Sequence, residues 1–242
     1  MKYNSMALKY QGKVALITGS SRGVGRLLAE YFLTEGAVVI GLSRGESSLN
    51  HSNYSHFSVD IGSAEDVAGT FKTIHKQFAN IDIAINNAAV LTSQYSMILP
   101  LKKVHDMVNI NLVGTFMVSR EAAKLMRKNN YGRIINIGSM AASLEPIGDS
   151  IYAACKAGIN TIANVMAKEF ASMNITCNTL GVTAIETDML NQLPRHKVDE
   201  IINKLPVPRY ALPGDIFNVV DFFASERSSY ITAQVVYLGG VN

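Results

Sequence analysis

The chain has 242 residues, of which 48% are hydrophobic and 17% are charged, and its formal net charge is +3. This charged fraction lies below the usual value of about 25%, which is typical of a compact, well-buried protein and speaks against intrinsic disorder. The basic residues form no long run, and no stretch is apolar enough to span a membrane or resembles a signal peptide, so we expect a cytoplasmic protein that binds neither nucleic acid nor membrane.

Short apolar runs alternate with longer amphipathic stretches along the chain. The apolar runs have the length of buried strands and cover residues 13–18, 37–42, 56–60, 81–86, 133–138, 174–180 and 234–238. The helical patterns between them cover residues 24–35, 63–79, 101–128, 150–172 and 215–224. This alternation predicts an α/β protein with a single-domain Rossmann fold, in which a doubly wound, mostly parallel sheet of seven strands carries helices on both faces.

No break in composition marks a second domain, so we expect residues 12–242 to form one domain and residues 1–11 to be a loose extension. Residues 186–213 contain four of the six prolines, with apolar residues at helical spacing between them. This pattern predicts one or two short helices hinged at prolines, which would form a lid over a pocket. The alternative is an ordinary pair of surface helices packed on the sheet.

The stretch TGSSRGVG, residues 18–25, lies between the first predicted strand and the first predicted helix. At the carboxyl end of a parallel strand, a helix N-terminus offers unpaired N–H groups to an anionic ligand. Gly19, Gly23 and Gly25 have no Cβ, which would let a pyrophosphate or ribose approach the backbone and let the helix pack closely on the strand. The spacing is GxxxGxG rather than GxGxxG, and turn chemistry alone explains the glycines equally well.

Further motifs follow in an order that is typical of one family. They are NNAA at residues 86–89, NINLVG at 109–114, IINIGSMAA at 134–142 and YAACK at 152–156. Together with the glycine turn, they resemble the short-chain dehydrogenases/reductases from Lys13 to Gly240. The C-terminal part, with IETDM, RYALPGDI and SSYITAQVVYLGG, is similar in particular to the 3-oxoacyl-[acyl-carrier-protein] reductases. The resemblance implies an oxidoreductase that acts on a C=O or CH–OH group.

Tyr152 and Lys156 are four positions apart in a predicted helix and therefore lie on one face of it. The alternative is that they form a solvent-exposed surface pair. Ser139 follows a predicted strand at the carboxyl edge of the sheet, where substrates bind. A neighbouring ammonium favours the phenolate, so we expect the Tyr152 pKa to move from about 10 towards neutral pH. The expected mechanism is hydride transfer to a ketone, with Tyr152 as proton donor, Ser139 bonded to the ketone oxygen and Lys156 on the ribose.

Asn111 matches the fourth catalytic position of the family, which implies that it supports a water in the proton relay. The alternative is an asparagine inside a helix whose side chain satisfies local backbone groups. The four residues that the resemblance places at the catalytic site are Asn111, Ser139, Tyr152 and Lys156.

Charge favours NADP(H) as the cofactor. An NAD enzyme would present an acidic residue to the ribose after the second strand, where this chain has Ser43 and Arg44. Arg22 would be a second cation for a 2′-phosphate, although both arginines could also be solvated surface residues. The cofactor-binding residues implied by the resemblance are Gly19, Ser21, Arg22, Gly23, Val24, Gly25, Ser43, Arg44, Asp60, Ile61, Asn87, Ala88, Ala89, Tyr152, Lys156, Thr183, Ile185 and Thr187.

Four positions depart from the family pattern. Ala89 stands where the family usually has glycine, and Val182 and Thr183 replace a Pro-Gly pair that borders the nicotinamide. Met173 stands where the carrier-protein reductases commonly have a basic residue, which leaves docking of an acyl carrier protein open. We therefore predict an NADPH-dependent reductase of a ketone, either 3-oxoacyl thioester-like or another specialised carbonyl. The alternative is a catalytically idle NADP-binding protein of the same fold.

The histidines and cysteines show no metal-ligand spacing, so no metal is expected. The long helical patterns at 101–128 and 150–172 carry more apolar residues than one sheet face needs, among them Phe116, Met117, Ile159, Ile162, Val165 and Met166. In similar enzymes these helices form a four-helix interface, so a homotetramer is expected. The other expected partner is a small-molecule carbonyl substrate, free or as a carrier-bound acyl thioester.

Overall fold

Seven strands form one sheet in the computed structural model, which describes residues 8–241. The strands are β1 (Val14–Thr18), β2 (Val38–Ser43), β3 (Tyr54–Ser58), β4 (Ile83–Asn86), β5 (Gly132–Ser139), β6 (Ile175–Val182) and β7 (Val235–Tyr237). Their order is β3-β2-β1-β4-β5-β6-β7, and every neighbouring pair is parallel. The predicted doubly wound fold is confirmed. The winding reverses between β1 and β4, and in folds of this kind ligands bind in the crevice outside the carboxyl ends of the strands at this point.

Helices cover both faces of the sheet, as predicted. They are α1 (Gly23–Thr34), α2 (Ala64–Gln77), α3 (Leu101–Met107), α4 (Thr115–Met126), α5 (Ala141–Leu144), α6 (Ser150–Phe170), α7 (Arg195–Ile202) and α8 (Pro213–Ala224). One apolar core lies between the sheet and α2, α4 and α6, and a second lies between the sheet and α1 and α8. None of these helices is long and apolar enough to cross a membrane.

The helix expected over residues 101–128 is divided in the structure. A π-helix, Val108–Gly114, separates α3 from α4. Gly114 packs tightly here, because a Cβ on it would lie 2.7 Å from the backbone oxygen of Ile61. Wide turns of this kind occur frequently at functional sites, and this one carries Asn111.

The expected N-terminal extension is only partly visible, since residues 1–7 lie outside the described residues. Near its end, Tyr10 is buried, stacks on Phe32 with ring centroids 4.4 Å apart, and donates a 2.6 Å hydrogen bond to Asp221. Lys9 forms an ion pair with the same carboxylate. In contrast to the expectation, residues 9 and 10 are therefore held against α1 and α8, because their partners lie far away in the sequence.

Residues 186–213 leave the sheet after β6. A 3-10 turn at Leu190–Gln192 precedes Pro194 and α7, and the segment ends at Pro213, the first residue of α8. Val198 and Ile202 of α7 form a small buried cluster with Ala184. Two short helical elements thus lie in the segment, and its role as a lid stays a prediction.

Candidate active site

The turn between β1 and α1 packs against the loop that follows β4. Gly19 has a φ of +69°, and a Cβ on it would lie 2.9 Å from the Cα of Ala88. A Cβ on Gly25 would lie 2.5 Å from the side-chain nitrogen of Asn87. Gly19 and Gly25 are thus required for packing within the protein. Gly23 has a φ of +55°, and a Cβ built on it would meet only the Thr187 side chain, at an ordinary contact distance of 3.7 Å.

Thr18 organises this junction, and the sequence analysis did not select it. Its hydroxyl oxygen accepts hydrogen bonds from the backbone N–H groups of Asn87 and Ala88, both at 2.9 Å. The Asn87 side chain donates in return to the Thr18 carbonyl oxygen at 3.0 Å. The only sequence signal was the threonine at the start of the TGSSRGVG stretch. Asn87 and Ala88 are therefore fixed at the end of β1, beside the glycine turn.

Three of the predicted catalytic side chains meet at the carboxyl end of β5. Ser139 is the last residue of β5, and its side chain forms a hydrogen bond with the phenol of Tyr152 on α6. The Lys156 ammonium lies one helical turn further, 5.8 Å from the centre of the Tyr152 ring, and donates to the Ile137 carbonyl oxygen at 2.7 Å. Both α6 side chains are buried, with exposed fractions of 8% and 3%.

Burial dominates the electrostatics of this cluster. It raises the pKa of Tyr152 to about 12, against the smaller lowering effect of the hydrogen bond with Ser139. It lowers the pKa of Lys156 to about 8. The expected shift of the Tyr152 pKa towards neutral pH is not found, because desolvation of the phenolate prevails while the Lys156 ammonium is bonded to Ile137. At neutral pH Tyr152 is a protonated phenol, the form that donates a proton.

Asn111 is fully buried in the π-helix, and both ends of its amide are engaged. Its oxygen accepts from the backbone N–H of Val90 and its nitrogen donates to the Val90 carbonyl oxygen, each at 2.8 Å. The Asn111 backbone carbonyl accepts a 2.8 Å hydrogen bond from the Thr115 hydroxyl. The Asn111 side chain thus satisfies backbone groups, as in the alternative interpretation. These groups are not local, because Val90 belongs to the loop after β4.

Two predicted cofactor contacts are exposed cations. Arg22 and Arg44 lie at the carboxyl ends of β1 and β2, and neither guanidinium forms an ion pair within residues 8–241. Ser43 is buried; its hydroxyl donates to the Gly45 carbonyl oxygen at 2.9 Å and contacts the Nε2 of His56 at 2.7 Å. The sequence analysis missed His56, because it lies on β3 whereas its partner Ser43 lies on β2.

The remaining predicted contacts of the adenosine side differ in burial. Asp60 accepts a 2.9 Å hydrogen bond from the backbone N–H of Gly62 and so caps the turn after β3. Ile61 beside it is buried. Ser21, Val24, Ala88 and Ala89 are half-buried.

Across the cleft, Thr183 and Ile185 are buried after β6, and Thr187 is half-buried. The Thr187 side chain faces the glycine turn, since its methyl group lies 3.7 Å from where a Cβ on Gly23 would be. Within residues 8–241, no cluster of histidine, cysteine and acidic side chains could hold a metal ion.

Comparison with known proteins gives matches over nearly the whole chain. Residues 13–198 match the family model described as short chain dehydrogenase. A 3-oxoacyl-[acyl-carrier-protein] reductase of Vibrio harveyi is 34% identical over 239 residues, which cover 96% of this chain and 98% of the relative. The corresponding reductase of Aquifex aeolicus is 33% identical over 245 residues, covering 97% and 99%. Among solved structures, the ligand-free aldohexose dehydrogenase of Thermoplasma acidophilum has a TM-score of 0.88 at 26% identity, covering 97% of this chain and 95% of that chain.

Proposed function

The chain belongs to the short-chain dehydrogenase/reductase family, and from this premise we propose that it is an NADPH-dependent reductase that converts a ketone to a secondary alcohol. The observation that carries the proposal is the buried Ser139–Tyr152 hydrogen bond with Lys156 on the same face of α6. This group lies at the carboxyl edge of the sheet, where the fold places ligands. Membership of the family and the similarity to 3-oxoacyl reductases support an oxidoreductase that acts on a carbonyl group.

The residues present fit a dinucleotide with a 2′-phosphate. Gly23 is the first residue of α1, and a Cβ built on it would be crowded by no backbone atom, so a pyrophosphate could approach the N–H groups of this helix N-terminus. Arg22 and Arg44 are exposed cations without a carboxylate partner in the described chain, and guanidinium groups pair well with phosphate. When bound, NADPH would supply the hydride.

The other predicted contacts fall into three groups. Asp60, Ile61, Asn87, Ala88 and Ala89 would line the adenosine side of the dinucleotide. Tyr152 and Lys156 would hold the nicotinamide ribose, and Thr183, Ile185 and Thr187 would border the nicotinamide.

The side chains of the protein would handle the proton and the carbonyl oxygen. The Tyr152 phenol is protonated at neutral pH, so it can donate to the oxygen as negative charge develops there. The Ser139 hydroxyl would hydrogen-bond the same oxygen and stabilise that charge. Lys156 would bind ribose hydroxyls and shift the phenol towards ionisation once it turns from Ile137. Asn111 would contribute through its backbone carbonyl, since its side chain is engaged by Val90.

The names of the relatives point to two kinds of carbonyl substrate. The relatives from Vibrio harveyi and Aquifex aeolicus are named for a 3-oxoacyl group on an acyl carrier protein, and the structural relative from Thermoplasma acidophilum is named for aldohexoses. Met173 is partly buried and packs against the core, so this position offers no charge to an acidic carrier protein. We therefore propose a small carbonyl compound and do not include docking of an acyl carrier protein.

The proposal is tested by following NADPH oxidation with a panel of ketones that contains a short 3-oxoacyl thioester, cyclic ketones and hydroxyketones. At least one of them should be reduced with saturation kinetics, and NADPH should be preferred to NADH. NADPH binding measured by fluorescence, without oxidation by any ketone, would favour the idle NADP-binding protein. Absence of NADPH binding would contradict both functions.

We also propose that the chain forms a homotetramer through α4 and α6. Two residues that the sequence analysis counted as surplus, Ile159 and Met166, are buried inside the protomer. The apolar side chains left exposed on the π-helix, α4 and α6 are Val113, Phe116 and Val165, with exposed fractions of 39%, 44% and 48%. These three residues, rather than the larger set, would form the contact with a second copy.

A further inference from the structure

The edge strand β3 carries a row of three polar side chains to which the proposed function assigns no role. Tyr54, His56 and Ser58 alternate along the strand, and alternate residues of a strand lie on the same face. Phe57, on the opposite face, packs against the core that the sheet forms with α2, α4 and α6. The polar row is therefore turned away from this core.

Two residues of the row are bonded to the loop after β2, which carries Arg44. The Ser58 hydroxyl donates to the Arg44 carbonyl oxygen at 3.0 Å, and the Tyr54 hydroxyl donates to the Ser47 hydroxyl at 3.2 Å. The Tyr54 hydroxyl also lies 3.1 Å from the Ser20 hydroxyl of the glycine turn. The row thus joins the loop after β2 both to β3 and to the turn between β1 and α1.

His56, in the middle of the row, fixes the direction of the Ser43 hydroxyl. This hydroxyl has one hydrogen, which it donates to the Gly45 carbonyl oxygen at 2.9 Å. It therefore accepts a hydrogen from the Nε2 atom of His56, 2.7 Å away, which assigns the ring proton to Nε2. Burial lowers the pKa of His56, so the imidazole is neutral at neutral pH and keeps this tautomer. The imidazole thus holds a closed turn over residues 43–45, with Arg44 at its centre.

The backbone around Arg44 is held firmly, whereas its side chain is free to meet a ligand. The residue is exposed, and its guanidinium forms no ion pair within the described chain. His56 acts on the residue before it, and Ser58 acts on its own carbonyl oxygen. A loop that is already in its binding conformation loses less conformational freedom when the ligand binds. The two β3 side chains therefore prepare Arg44 to bind a phosphate.

We propose that His56 is a positioning residue for the 2′-phosphate of NADPH. It would act through Ser43, by holding the loop that presents Arg44, and would thereby set the preference for NADPH over NADH. This inference rests on the proposed function and names a residue that controls cofactor choice at the same site. NADH has a hydroxyl group in place of the phosphate, so its binding should depend little on where the Arg44 guanidinium lies.

The test measures the dissociation constants of NADPH and NADH for His56→Ala by fluorescence titration. We expect the constant for NADPH to rise by about tenfold and that for NADH to change by less than about twofold, because only the phosphate needs a fixed Arg44. His56→Gln retains an N–H donor at about the distance of Nε2 along the side chain and should restore NADPH affinity to within about threefold of wild type.

A second pair of variants uses two serines on opposite faces of β3. Ser58→Ala removes the hydrogen bond to the Arg44 carbonyl oxygen at an exposed position. The ratio of NADPH to NADH affinity should fall by about fivefold, which is the effect of one hydrogen bond between neutral groups. Ser55→Ala makes the same change on the other face of the strand, so it is the matched control and should retain the wild-type ratio.

The outcomes separate this inference from the function on which it rests. If folded His56→Ala keeps the wild-type ratio, or binds both dinucleotides equally less tightly, the inference is wrong and the reductase function stands. If His56→Ala does not fold, a lower ratio in Ser58→Ala alone supports the inference, and equal ratios in Ser58→Ala and Ser55→Ala overturn it. A wild-type protein that binds NADPH no more tightly than NADH contradicts the NADPH dependence in the proposed function itself, and the inference falls with it.

Discussion

Asn111 and Val90 are joined by two hydrogen bonds of 2.8 Å, in which the side-chain amide pairs with both the N–H and the C=O of the valine. The pair connects the π-helix to the loop after β4. That loop also carries Asn87 and Ala88, which Thr18 fixes to the end of β1. Asn111 therefore links the catalytic side of the cleft to the cofactor side through the backbone.

Replacing Asn111 should reduce stability and activity together. In Asn111→Ala, both Val90 backbone groups lose their partner, which should lower the free energy of unfolding by about 2–4 kcal/mol. Urea denaturation measures this change, and NADPH binding should weaken as the loop loosens. Asn109→Ala, at an exposed position in the same π-helix, is the control and should change stability by less than about 0.5 kcal/mol. A stable Asn111→Ala with normal NADPH affinity would show that the link is dispensable.

The sheet could be predicted well from the sequence, whereas the contacts of Asn111 could not. The difference is that strands leave a local sequence pattern and contacts between distant residues do not. Strands β4, β5 and β6 are buried along nearly their whole length, so each gives an apolar run that can be identified locally. The grouping of Ser139 with Tyr152 could be predicted, because the fold places both at one edge. Val90 and Asn111 are 21 residues apart, and no local pattern indicates that they pair.

The pKa of Tyr152 illustrates the same limit. The sequence places a lysine one helical turn from Tyr152, and its charge alone would lower the pKa. Burial depends on what packs around the ring from other parts of the chain, including Leu99 and Met107. This desolvation decides the direction in which the pKa of Tyr152 shifts, and it can be recognised only from the three-dimensional structure.

Tyr152→Phe removes the proton donor while it leaves the ring in its buried position. Turnover of the best ketone should fall by at least about a hundredfold, because general acid catalysis contributes that much or more. The dissociation constant for NADPH should stay within about threefold, measured by fluorescence titration. Tyr230→Phe, in a residue that is 99% exposed, serves as the control. Near-normal turnover in Tyr152→Phe would remove Tyr152 from the mechanism.

Arg44→Asp tests which group recognises the adenosine end of the cofactor. The change replaces an exposed cation that would pair with a 2′-phosphate by an anion that repels it and favours ribose hydroxyls. We expect the ratio of NADPH to NADH affinity to fall by at least about tenfold, because the loss of one hydrogen bond to a charged group reduces affinity by about that factor or more. Arg227→Asp makes the same charge change at a distant exposed position and should leave the ratio unaltered. An unchanged ratio in Arg44→Asp would place recognition elsewhere.

The proposed tetramer can be tested at its exposed apolar residues. Wild-type protein at micromolar concentration should have the mass of four chains by light scattering. The double change Phe116→Asp and Val165→Asp introduces charges on the outer faces of α4 and α6, where neither side chain belongs to the core of the protomer. It should reduce the mass to that of a dimer or monomer while circular dichroism stays unchanged. A monomeric wild-type protein would refute the proposed assembly.

Residues 186–213 allow a test of closure over the cofactor. The segment begins beside the glycine turn, where the Thr187 methyl group lies 3.7 Å from the position that a Cβ on Gly23 would occupy. Its helix α7 is attached through the small cluster of Val198, Ile202 and Ala184, which gives it few buried apolar contacts. Segments of this kind open at low free-energy cost, so their exchange responds to a ligand that contacts them.

We expect NADPH to slow amide hydrogen exchange across residues 188–205, because a cofactor held between Gly23 and Thr187 would order the start of the segment. Helix α8 provides the internal control, since its buried residues belong to the large core under the sheet and should exchange at the same rate in both states. Thr187→Ala should weaken the protection of residues 188–205 and leave α8 unaffected. Equal exchange with and without NADPH would mean that the segment is a fixed pair of surface helices. In that case, substrate choice would have to come from groups already in place beside Tyr152.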